Sequence, residues 1–556
     1  IKAIRRIAHK IIDFLAQIEN FQKRLWLKKK FVVETQYCIT LDRIFAIEDE
    51  KARDWLIAEI IKNDAQRGEW VRLYGGMETW GQGDRANATG SLFQDDPVFV
   101  SLSPSLRVPR SLIVDTRHFD EAFKLRLLAA IPDLDEETDG LLIHSENFQA
   151  LNLLQARYRE QVKCIYIDPP YNTGNDEFLY RDDYQHSSWL TMMENRVDLA
   201  NKYLSADGAF IASLDDSESD KSRLVLEEII GAQTFVERIV WRKRSTPPND
   251  KVLGAQHEYA LVYSRSDQRD SLNLKERTGE QLERYQNPDS HPKGPWVPGD
   301  LLANVKGGRY VASLYFPITN PRTGQQFFPP PGGNWRFSKQ TIDRLLADKE
   351  IWFGEDDRQR PKLKRFLCDV KPGVTWSTLW DSMPLNTEGS KEMSALFGNM
   401  LAFENPKPVG YIESICRLAS RPERHILDFF AGSGTTGHAV INLNREDGGR
   451  RRFILVEMGD YFDTVLVPRI KKVTFTPEWK DGKPKRMPTR EEIERSPRIL
   501  KILRLESYED TLNNLELKRT GPQQSLLDQH AAFREDYMLR YMLDVESRGS
   551  PSLLNI

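Results

Sequence analysis

Short apolar runs alternate with longer amphipathic segments from about residue 120 onward. "NFQALNLLQARY" and "SWLTMMENRVDLANKYL" repeat apolar residues every three or four positions and predict helices. "VKCIYID" and "GAFIASLDD" are short, continuous apolar runs and predict buried strands. Helices that alternate with buried strands indicate an α/β fold built on a parallel sheet.

This rhythm is interrupted once and then resumes. Residues 245–395 are rich in Pro, Gly and Asn, as in "TNPRTGQQFFPPPGGNWRF", and predict an inserted lobe. At its start, "FVERIVWRK" and "EYALVYSRS" are expected to form a pair of strands. Beyond it, "HILDFF", "GTTGHAVINLNRE" and "RRFILVEM" predict a strand, a helix and a strand.

The two ends of the chain differ from this α/β pattern. Their apolar spacing and charge predict a helical extension over residues 1–110 and a helical region over 476–556. The predicted organisation is therefore one α/β domain in two halves, 111–244 and 396–475, with the lobe between them. Because the chain starts at Ile1 and ends in "SPSLLNI", we expect it to be a piece of a longer protein.

Composition narrows the class of protein only moderately. The 556 residues predict two to four domains, and no apolar run approaches the roughly 20 residues of a membrane span. The 4 cysteines are far apart, which argues against a zinc site or a disulfide framework and fits a reducing cytoplasm. The net charge of −3 is uninformative, but basic clusters such as "WRKR" provide candidate phosphate contacts at Arg242, Lys243 and Arg244.

A glycine-rich turn follows the strand "HILDFF" and opens a helix. Gly432 and Gly434 allow a tight turn close to a ligand, and the helix N-terminus presents free N–H groups to it. Glu457 ends the next predicted strand, where a carboxylate is placed to accept hydrogen bonds from ribose hydroxyls. The run Gly432–Gly437 fits GxGxxG but lacks the lysine of a Walker loop. A dinucleotide and an adenosine-bearing ligand without a pyrophosphate both remain open.

The tetrapeptide Asp168-Pro169-Pro170-Tyr171 follows another buried strand directly. Because parallel strands share one carboxyl edge, these residues are expected to face the glycine turn. Asp168 and the Pro169 carbonyl are suited to accept the two N–H bonds of a nucleobase amino group, and the prolines stiffen the turn. Tyr171 offers a stacking face, worth roughly 1–3 kcal/mol, to a base taken out of the duplex. Hydride chemistry does not account for this tetrapeptide, which favours the adenosine-bearing ligand.

At these residues the sequence resembles the DNA amino-methyltransferases that use S-adenosylmethionine. "DPPY" looks like their catalytic motif and "DFFAGSGTT" like their cofactor motif. The catalytic motif comes first and the lobe lies between the two motifs, which is the order of the beta class. "IDPPYNTG", "FENPKP" and "RRFILVEMGDYF" further resemble the modification subunits of Type III restriction–modification systems.

The resemblance implies a Rossmann-like methyltransferase sheet in which residues 111–244 are the catalytic half and 396–475 the cofactor-binding half. The lobe 245–395 would recognise the target sequence. Asp168, Pro169, Pro170 and Tyr171 would form the catalytic pocket. S-adenosylmethionine would be bound by Asp428, Phe430, Ala431, Gly432, Gly434, Thr435, Glu457, Asn405, Lys407 and Pro408.

The implied activity is site-specific methylation of adenine N6 in a flipped-out base, a step that needs no metal. The implied partners are double-stranded DNA, a second copy of the chain and a restriction subunit. Cytosine N4, a base in RNA, or a catalytically silent DNA-binding module of the same fold remain alternatives. Among other side chains, Asp215 is expected to cap a helix, and Trp189 and Trp241 are expected to lie in the core.

Overall fold

The computed structural model separates into two compact units. It describes residues 2–75, 98–103, 106–171, 186–249, 252–303, 310–398 and 402–553. One unit comprises residues 1–273 and 377–556, and the other is Leu274–Trp376. The second unit is narrower than the predicted lobe 245–395, because strands on either side of it join the sheet of the larger unit.

The larger unit is organised around one sheet of eleven described strands, numbered here in chain order. They are β1 Val32–Thr40, β2 Ile113–Asp115, β3 Gly140–His144, β4 Val162–Ile167, β5 Leu204–Leu214, β6 Phe235–Arg242, β7 His257–Ser264, β8 Leu379–Trp380, β9 His425–Asp428, β10 Arg452–Glu457 and β11 Ile499–Leu505. Their order across the sheet is β8-β6-β7-β5-β4-β9-β10-β3-β11-β1-β2.

The centre of this sheet is parallel and its margins are mixed. The neighbours β5, β4, β9, β10, β3 and β11 all run parallel. Strand β7 is antiparallel to both β5 and β6, which confirms the predicted strand pair. The α/β fold predicted from the alternating pattern is confirmed. The central strands read as continuous apolar runs because helices cover both faces of such a sheet.

Helices connect and flank these strands. In the larger unit they are Lys2–Leu27, Leu41–Phe45, Glu50–Lys62, Asp64–Tyr74, Glu121–Ala129, Leu134–Glu137, Asn147–Tyr158, His186–Asn201, Asp216–Leu226, Gln268–Ser271, Asn386–Phe397, Val409–Ala419, Thr435–Asp447, Val467–Phe475, Arg490–Glu494, Tyr508–Asn513, Gly521–Gln529, Ala531–Arg540 and Met542–Glu546. None of the described helices has the length and apolar character needed to cross a membrane.

The N-terminal and C-terminal regions are not wholly helical, contrary to the prediction. Strand β1 pairs antiparallel with β11, with Cys38 opposite Leu500, and both strands belong to the main sheet. The segment "VVETQYCIT" is rich in β-branched and aromatic residues, which suit a pleated and partly buried surface. Pairing between distant segments therefore decided the structure here, whereas Lys2–Leu27 is helical as predicted.

The smaller unit has its own apolar core. Its three-stranded sheet places Lys362–Phe366 between Trp296–Gly299 and Ile351–Trp352, and Lys339–Ala347 is a helix. The core side chains are Leu301, Ile318, Trp335, Ile342, Leu345, Ile351 and Phe353. These buried side chains explain how such a Pro- and Gly-rich segment forms a folded unit.

Candidate active site

The two predicted motifs meet where the strand order of the sheet reverses. Strands β4 and β9 are parallel neighbours, and from them the chain continues outward in opposite directions, to β5 and to β10. Such a reversal opens a crevice at the carboxyl ends of the strands. Asp168 follows β4 and Asp428 ends β9, so both motifs reach this crevice.

A cavity of about 360 Å³ occupies the crevice. Most of the predicted site residues line it, namely Asp168, Pro169, Pro170, Tyr171, Lys243, Arg244, Asn405, Lys407, Asp428, Phe430, Ala431, Gly432, Thr435 and Glu457. Arg242, Pro408 and Gly434 are not among its lining residues. The volume lies within the usual range for small-molecule sites, roughly 300–1,000 Å³.

The glycine turn uses its two glycines differently. Gly432 (φ 53°) and Gly434 (φ 83°) both have left-handed backbone conformations, which favour glycine. Gly432 lines the cavity, and its N–H donates to Glu457 Oε2 at 2.8 Å. A Cβ on Gly434 would lie 3.2 Å from Leu466, so this residue faces packed side chains. Gly434 therefore shapes the turn, while Gly432 lies beside the ligand space.

Two buried carboxylates hold the turn in place. Asp428 accepts hydrogen bonds from the Phe430 N–H and the Thr436 hydroxyl, at 3.0 and 2.5 Å, and burial raises its pKa to about 7. Glu457 Oε1 accepts the N–H groups of Met458 and Gly459, at 2.8 and 2.9 Å. Burial also raises the pKa of Glu457, although these backbone donors oppose the effect. The carboxylate of Glu457 is therefore fixed in direction at the end of β10.

Arg469 supports the turn from the side away from solvent. It is fully buried in the helix Val467–Phe475, and its Nη1 donates to Ser433 Oγ at 2.7 Å and to Thr435 Oγ1 at 2.9 Å. Burial lowers its pKa to about 10. Arg469 was not predicted as a site residue, because a basic residue in "RIKK" gives no sign that it will be buried.

Hydrogen-bond donors hold two carbonyl groups of the Asp168–Tyr171 turn in place. Trp189 Nε1 donates to the Pro170 carbonyl at 2.9 Å, and the Ser217 hydroxyl donates to the Tyr171 carbonyl at 3.1 Å. Among the described residues, no backbone or side-chain donor reaches the Pro169 carbonyl. Trp189 lies in the core as predicted, and its indole N–H also fixes this turn.

Five side chains of alternating charge, here called the charge chain, lead to Asp168. It runs Asp215–Lys243–Glu258–Lys407–Asp168, and the successive N···O distances are 3.2, 2.9, 3.4 and 2.9 Å. The Tyr171 hydroxyl lies 2.7 Å from Asp168 Oδ1, 3.1 Å from Glu258 Oε2 and 2.7 Å from Lys407 Nζ. The charge chain therefore connects the ends of β6 and β7 and the segment before the helix Val409–Ala419 to the Asp168–Tyr171 turn after β4.

The contacts of the charge chain shift the pKa values of Asp168, Glu258 and Lys407. Burial raises the pKa of Asp168, and the nearby Lys407 ammonium opposes this shift. Burial alone would raise the pKa of Glu258, but Lys407 and Lys243 outweigh it and the pKa is lowered. Burial alone would lower the pKa of Lys407, but Asp168 and Glu258 raise it above its ordinary value. Lys407 is therefore a stable ammonium next to the catalytic motif.

The structure places several predicted residues in unexpected surroundings. Lys243, expected near DNA phosphate, is paired with two carboxylates and largely buried, while Arg242 and Arg244 are exposed. Lys407, expected at the cofactor, lines the shared cavity and contacts Asp168 and Tyr171. Glu258 was missed, although a lone Glu opening the apolar run "EYALVY" was an available signal.

Two further predictions concern Asp215 and Trp241. Asp215 accepts a hydrogen bond from Ser217 N as the N-cap of Asp216–Leu226, which confirms the capping role. Trp241 is buried as predicted. The rings of Phe403 and Tyr461, 5.0 Å apart, also line the cavity and were not predicted.

Comparison with known proteins identifies the family. The family model described as DNA methylase matches residues 162–466, which is more than half of the chain and includes both motifs. The chain belongs to the DNA methylase family. This methylase is 30% identical over 368 residues to the Type II methyltransferase M.KpnI of Klebsiella pneumoniae, covering 60% of this chain and 84% of that protein.

The methylase is also similar to Type III modification subunits, which confirms the resemblance seen in its motifs. It is 33% identical over 365 residues to the StyLTI Mod subunit of Salmonella typhimurium, covering 58% of this chain and 54% of that protein. It is 30% identical over 391 residues to the EcoP15I Mod subunit of Escherichia coli, covering 59% of each. The chain thus spans little more than half the length of these relatives.

Proposed function

We propose that this methylase transfers a methyl group from S-adenosylmethionine to the N6 amino group of adenine in double-stranded DNA, as a Type III-like modification subunit. The observation that carries this proposal is the shared cavity, in which the Asp168–Tyr171 turn faces the glycine turn of β9. The catalytic wall of the cavity, formed by Asp168–Tyr171, provides hydrogen-bond acceptors and an aromatic ring. The cofactor wall, formed by the glycine turn at Gly432 and by Glu457, provides backbone N–H groups and a fixed carboxylate.

The cofactor wall fits an adenosine-bearing ligand in its chemistry. Glu457 is fixed at the end of β10, where ribose hydroxyls bind in such sheets, and Gly432 allows close approach of the ligand to the backbone. S-adenosylmethionine supplies a methyl group bonded to a sulfonium sulfur. Asn405 and Phe430 would border this ligand, and Phe430 would contribute a cation–π interaction of about 0.5–2 kcal/mol if it lies near the sulfonium.

The catalytic wall orients the amino group that attacks. Asp168 and the Pro169 carbonyl accept its two N–H bonds, so the nitrogen lone pair points toward the methyl carbon. The N–C bond would form as the C–S bond breaks, the C–S electron pair would stay on sulfur as a neutral thioether, and the methylated nitrogen would then lose one proton to solvent water. Tyr171 stacks on the flipped base, which offsets part of an unstacking cost of a few kcal/mol. Catalysis is therefore mainly positioning.

The smaller unit is proposed as the target-recognition unit. Leu274–Trp376 carries 17 Lys and Arg residues against 12 Asp and Glu, a formal charge of +5, whereas the whole chain carries −3. This excess suits contact with DNA phosphates, which supply most of the sequence-independent affinity. The names of the relatives describe subunits, and the proposal accordingly includes a second copy and a restriction subunit as partners.

The test is methylation of duplex DNA with labelled S-adenosylmethionine, followed by mass analysis of the nucleosides. We expect N6-methyladenine from the wild type and a loss of kcat of at least about 10²-fold in Asp168→Ala. Product at cytosine N4, or product only on RNA, would replace the assigned target. Sequence-specific DNA binding without cofactor binding would favour the catalytically silent module instead.

A further inference from the structure

Four members of the charge chain have no part in the mechanism proposed above, and two of them reach the Tyr171 hydroxyl. Lys407 and Glu258 are both buried and both lie within hydrogen-bonding reach of the Tyr171 hydroxyl. They come from segments far apart in the sequence, before the helix Val409–Ala419 and in β7. Burying charged groups is costly unless they are paired, so their convergence on the catalytic turn requires an explanation.

We propose that Lys407 and Glu258 are positioning residues for methyl transfer: Lys407 fixes the direction of the Asp168 carboxylate and the Tyr171 hydroxyl, and Glu258 fixes Lys407. This inference rests on the proposed function of the cavity. It assigns to Lys407 a role in catalytic geometry rather than in cofactor binding.

Both oxygens of Asp168 are already engaged. Lys407 Nζ lies 2.9 Å from Oδ2, and the Tyr171 hydroxyl lies 2.7 Å from Oδ1. Rotation of the carboxylate would break at least one of these contacts. Because each carboxylate oxygen can accept two hydrogen bonds, one acceptor position per oxygen remains for the amino group of a base. The contacts thus orient Asp168 without saturating it.

Oxygens of the catalytic wall surround the Lys407 ammonium. They are Tyr171 Oη, which accepts a hydrogen bond at 2.7 Å, and the carboxylate oxygens Asp168 Oδ2 and Glu258 Oε2, at 2.9 and 3.4 Å. A cofactor carboxylate at Lys407 would have to compete with these two carboxylates. Lys407 Nζ also lies 4.9 Å from the centroid of the Tyr171 ring, which restrains the ring as well.

Glu258 connects Lys407 to the rest of the charge chain. Its Oε1 binds Lys243 at 2.9 Å and its Oε2 lies 3.4 Å from Lys407, so it stabilises two ammonium groups at once. Since its side chain is only 4% exposed, water cannot readily replace it. Replacing Glu258 by Gln would keep its size while removing the charge that draws Lys407 into place.

The positioning role predicts a change in the pH profile. The titratable groups around Asp168 include Lys407, Glu258, Tyr171, Tyr166, Tyr411 and Asp428, and the cations Lys243 and Arg244 line the same cavity. Lys407 is the cation in direct contact with Asp168 and opposes the rise of its pKa, so its removal raises that pKa. Activity requires ionised Asp168 and falls as the pH drops through that pKa. The acidic limb of kcat should therefore move to higher pH in Lys407→Met and remain in place in Lys407→Arg.

The experiment compares Lys407→Met, Lys407→Arg and Glu258→Gln with Lys391→Met, an exposed lysine on the helix Asn386–Phe397. Steady-state methylation of duplex DNA gives kcat and KM, and calorimetry gives the Kd for S-adenosylmethionine. We expect kcat to fall about 10²-fold in Lys407→Met, with the cofactor Kd unchanged. Glu258→Gln should lose about tenfold in kcat, and Lys407→Arg should recover part of the loss.

Two outcomes overturn the inference alone. One is a weaker cofactor Kd in Lys407→Met with kcat retained, which would make Lys407 a cofactor ligand. The other is an active wild type whose Lys407→Met and Glu258→Gln variants keep full kcat. If Lys407→Met does not fold, Glu258→Gln and the pH profile of Lys407→Arg decide. A wild type that binds S-adenosylmethionine but methylates no DNA overturns the proposed function and this inference with it.

Discussion

At the scale of single residues, the Asp168–Tyr171 turn is held by side chains from outside the motif. Trp189 donates to the Pro170 carbonyl and Ser217 donates to the Tyr171 carbonyl, whereas no described residue donates to the Pro169 carbonyl, to which we assign the amino group of the base. The tetrapeptide itself was recognisable in the sequence because its chemistry is contiguous. Its supports were not, since a Trp at helical spacing predicts only core packing.

Replacing Trp189 by Phe should lower kcat for methyl transfer while lowering the free energy of unfolding only modestly. The substitution removes the hydrogen bond to the Pro170 carbonyl, which costs about 1 kcal/mol of unfolding free energy. The loosened turn should lower kcat about tenfold. Trp241→Phe is the matched control, because Trp241 also donates to a proline carbonyl, that of Pro384, at 3.1 Å. Equal kcat in both variants would contradict a role for Trp189 in the turn.

At the scale of elements, the helix that follows the glycine turn has a glycine at each end. Thr435–Asp447 has Gly434 as its N-cap and Gly448 as its C-cap, both in left-handed conformations. The sequence predicted this helix and its turn from the glycine spacing. It did not predict that Arg469, from the helix Val467–Phe475, would donate a hydrogen bond to Ser433 in this turn.

Gly434→Ala and Gly448→Ala separate turn geometry from helix stability. An alanine in the left-handed conformation costs about 1–2 kcal/mol, so both variants should lose similar unfolding free energy. Only Gly434→Ala should weaken S-adenosylmethionine binding, about tenfold, because its Cβ would lie 3.2 Å from Leu466 and shift the turn. Chemical denaturation and calorimetry measure the two effects. Equal weakening in both variants would remove the distinction between them.

At the scale of the whole larger unit, a buried ionic cluster joins the N-terminal region to the methylase sheet. Lys471 Nζ contacts Glu69 Oε1 at 2.7 Å and Asp115 Oδ2 at 2.6 Å. Glu69, Asp115 and His118 are close enough to hold a metal ion, but the Lys471 ammonium already provides the positive charge. The N-terminal region is therefore bound to the rest of the larger unit through this ionic cluster as well as through the pairing of β1 with β11.

Lys471→Met should destabilise the protein by about 3–5 kcal/mol, because it leaves buried carboxylates without their main cation. Lys62→Met, which breaks the exposed pair with Glu59, should cost about 0–1 kcal/mol. Thermal and denaturant unfolding at pH 7 compare the two variants. A loss of similar size in both would show that the cluster contributes no more than a surface ion pair.

The same cluster predicts a dependence of stability on acid. Burial alone would raise the pKa of Asp115, but Lys471 and Arg117 outweigh it and hold the pKa well below its ordinary value. The stability that Asp115 contributes is present above its unfolded pKa of about 3.9 and is lost as the pH falls through the folded pKa. Unfolding free energy measured from pH 6 down to 3 should therefore decline less steeply in Lys471→Met than in wild type. Parallel slopes would contradict this assignment.

The sequence by itself determined the features that are written in contiguous residues. The alternation of helix and strand, the Asp168–Tyr171 motif and the glycine turn at Gly432 all depend on local periodicity and local chemistry. It also determined that both motifs end parallel strands, and hence that they share one edge of the sheet.

Only the tertiary structure decided which distant groups meet. The chain ends were predicted to be helical, but β1 and β11 pair in the main sheet. The inserted unit is shorter than predicted, because β7 and β8 belong to the larger unit. The convergence of Glu258 and Lys407 on Asp168 leaves no trace in spacing, because it depends on which strands become neighbours. Local periodicity and local chemistry place both motifs at one edge of the sheet, and long-range packing brings Lys407 and Glu258 against the Asp168–Tyr171 turn.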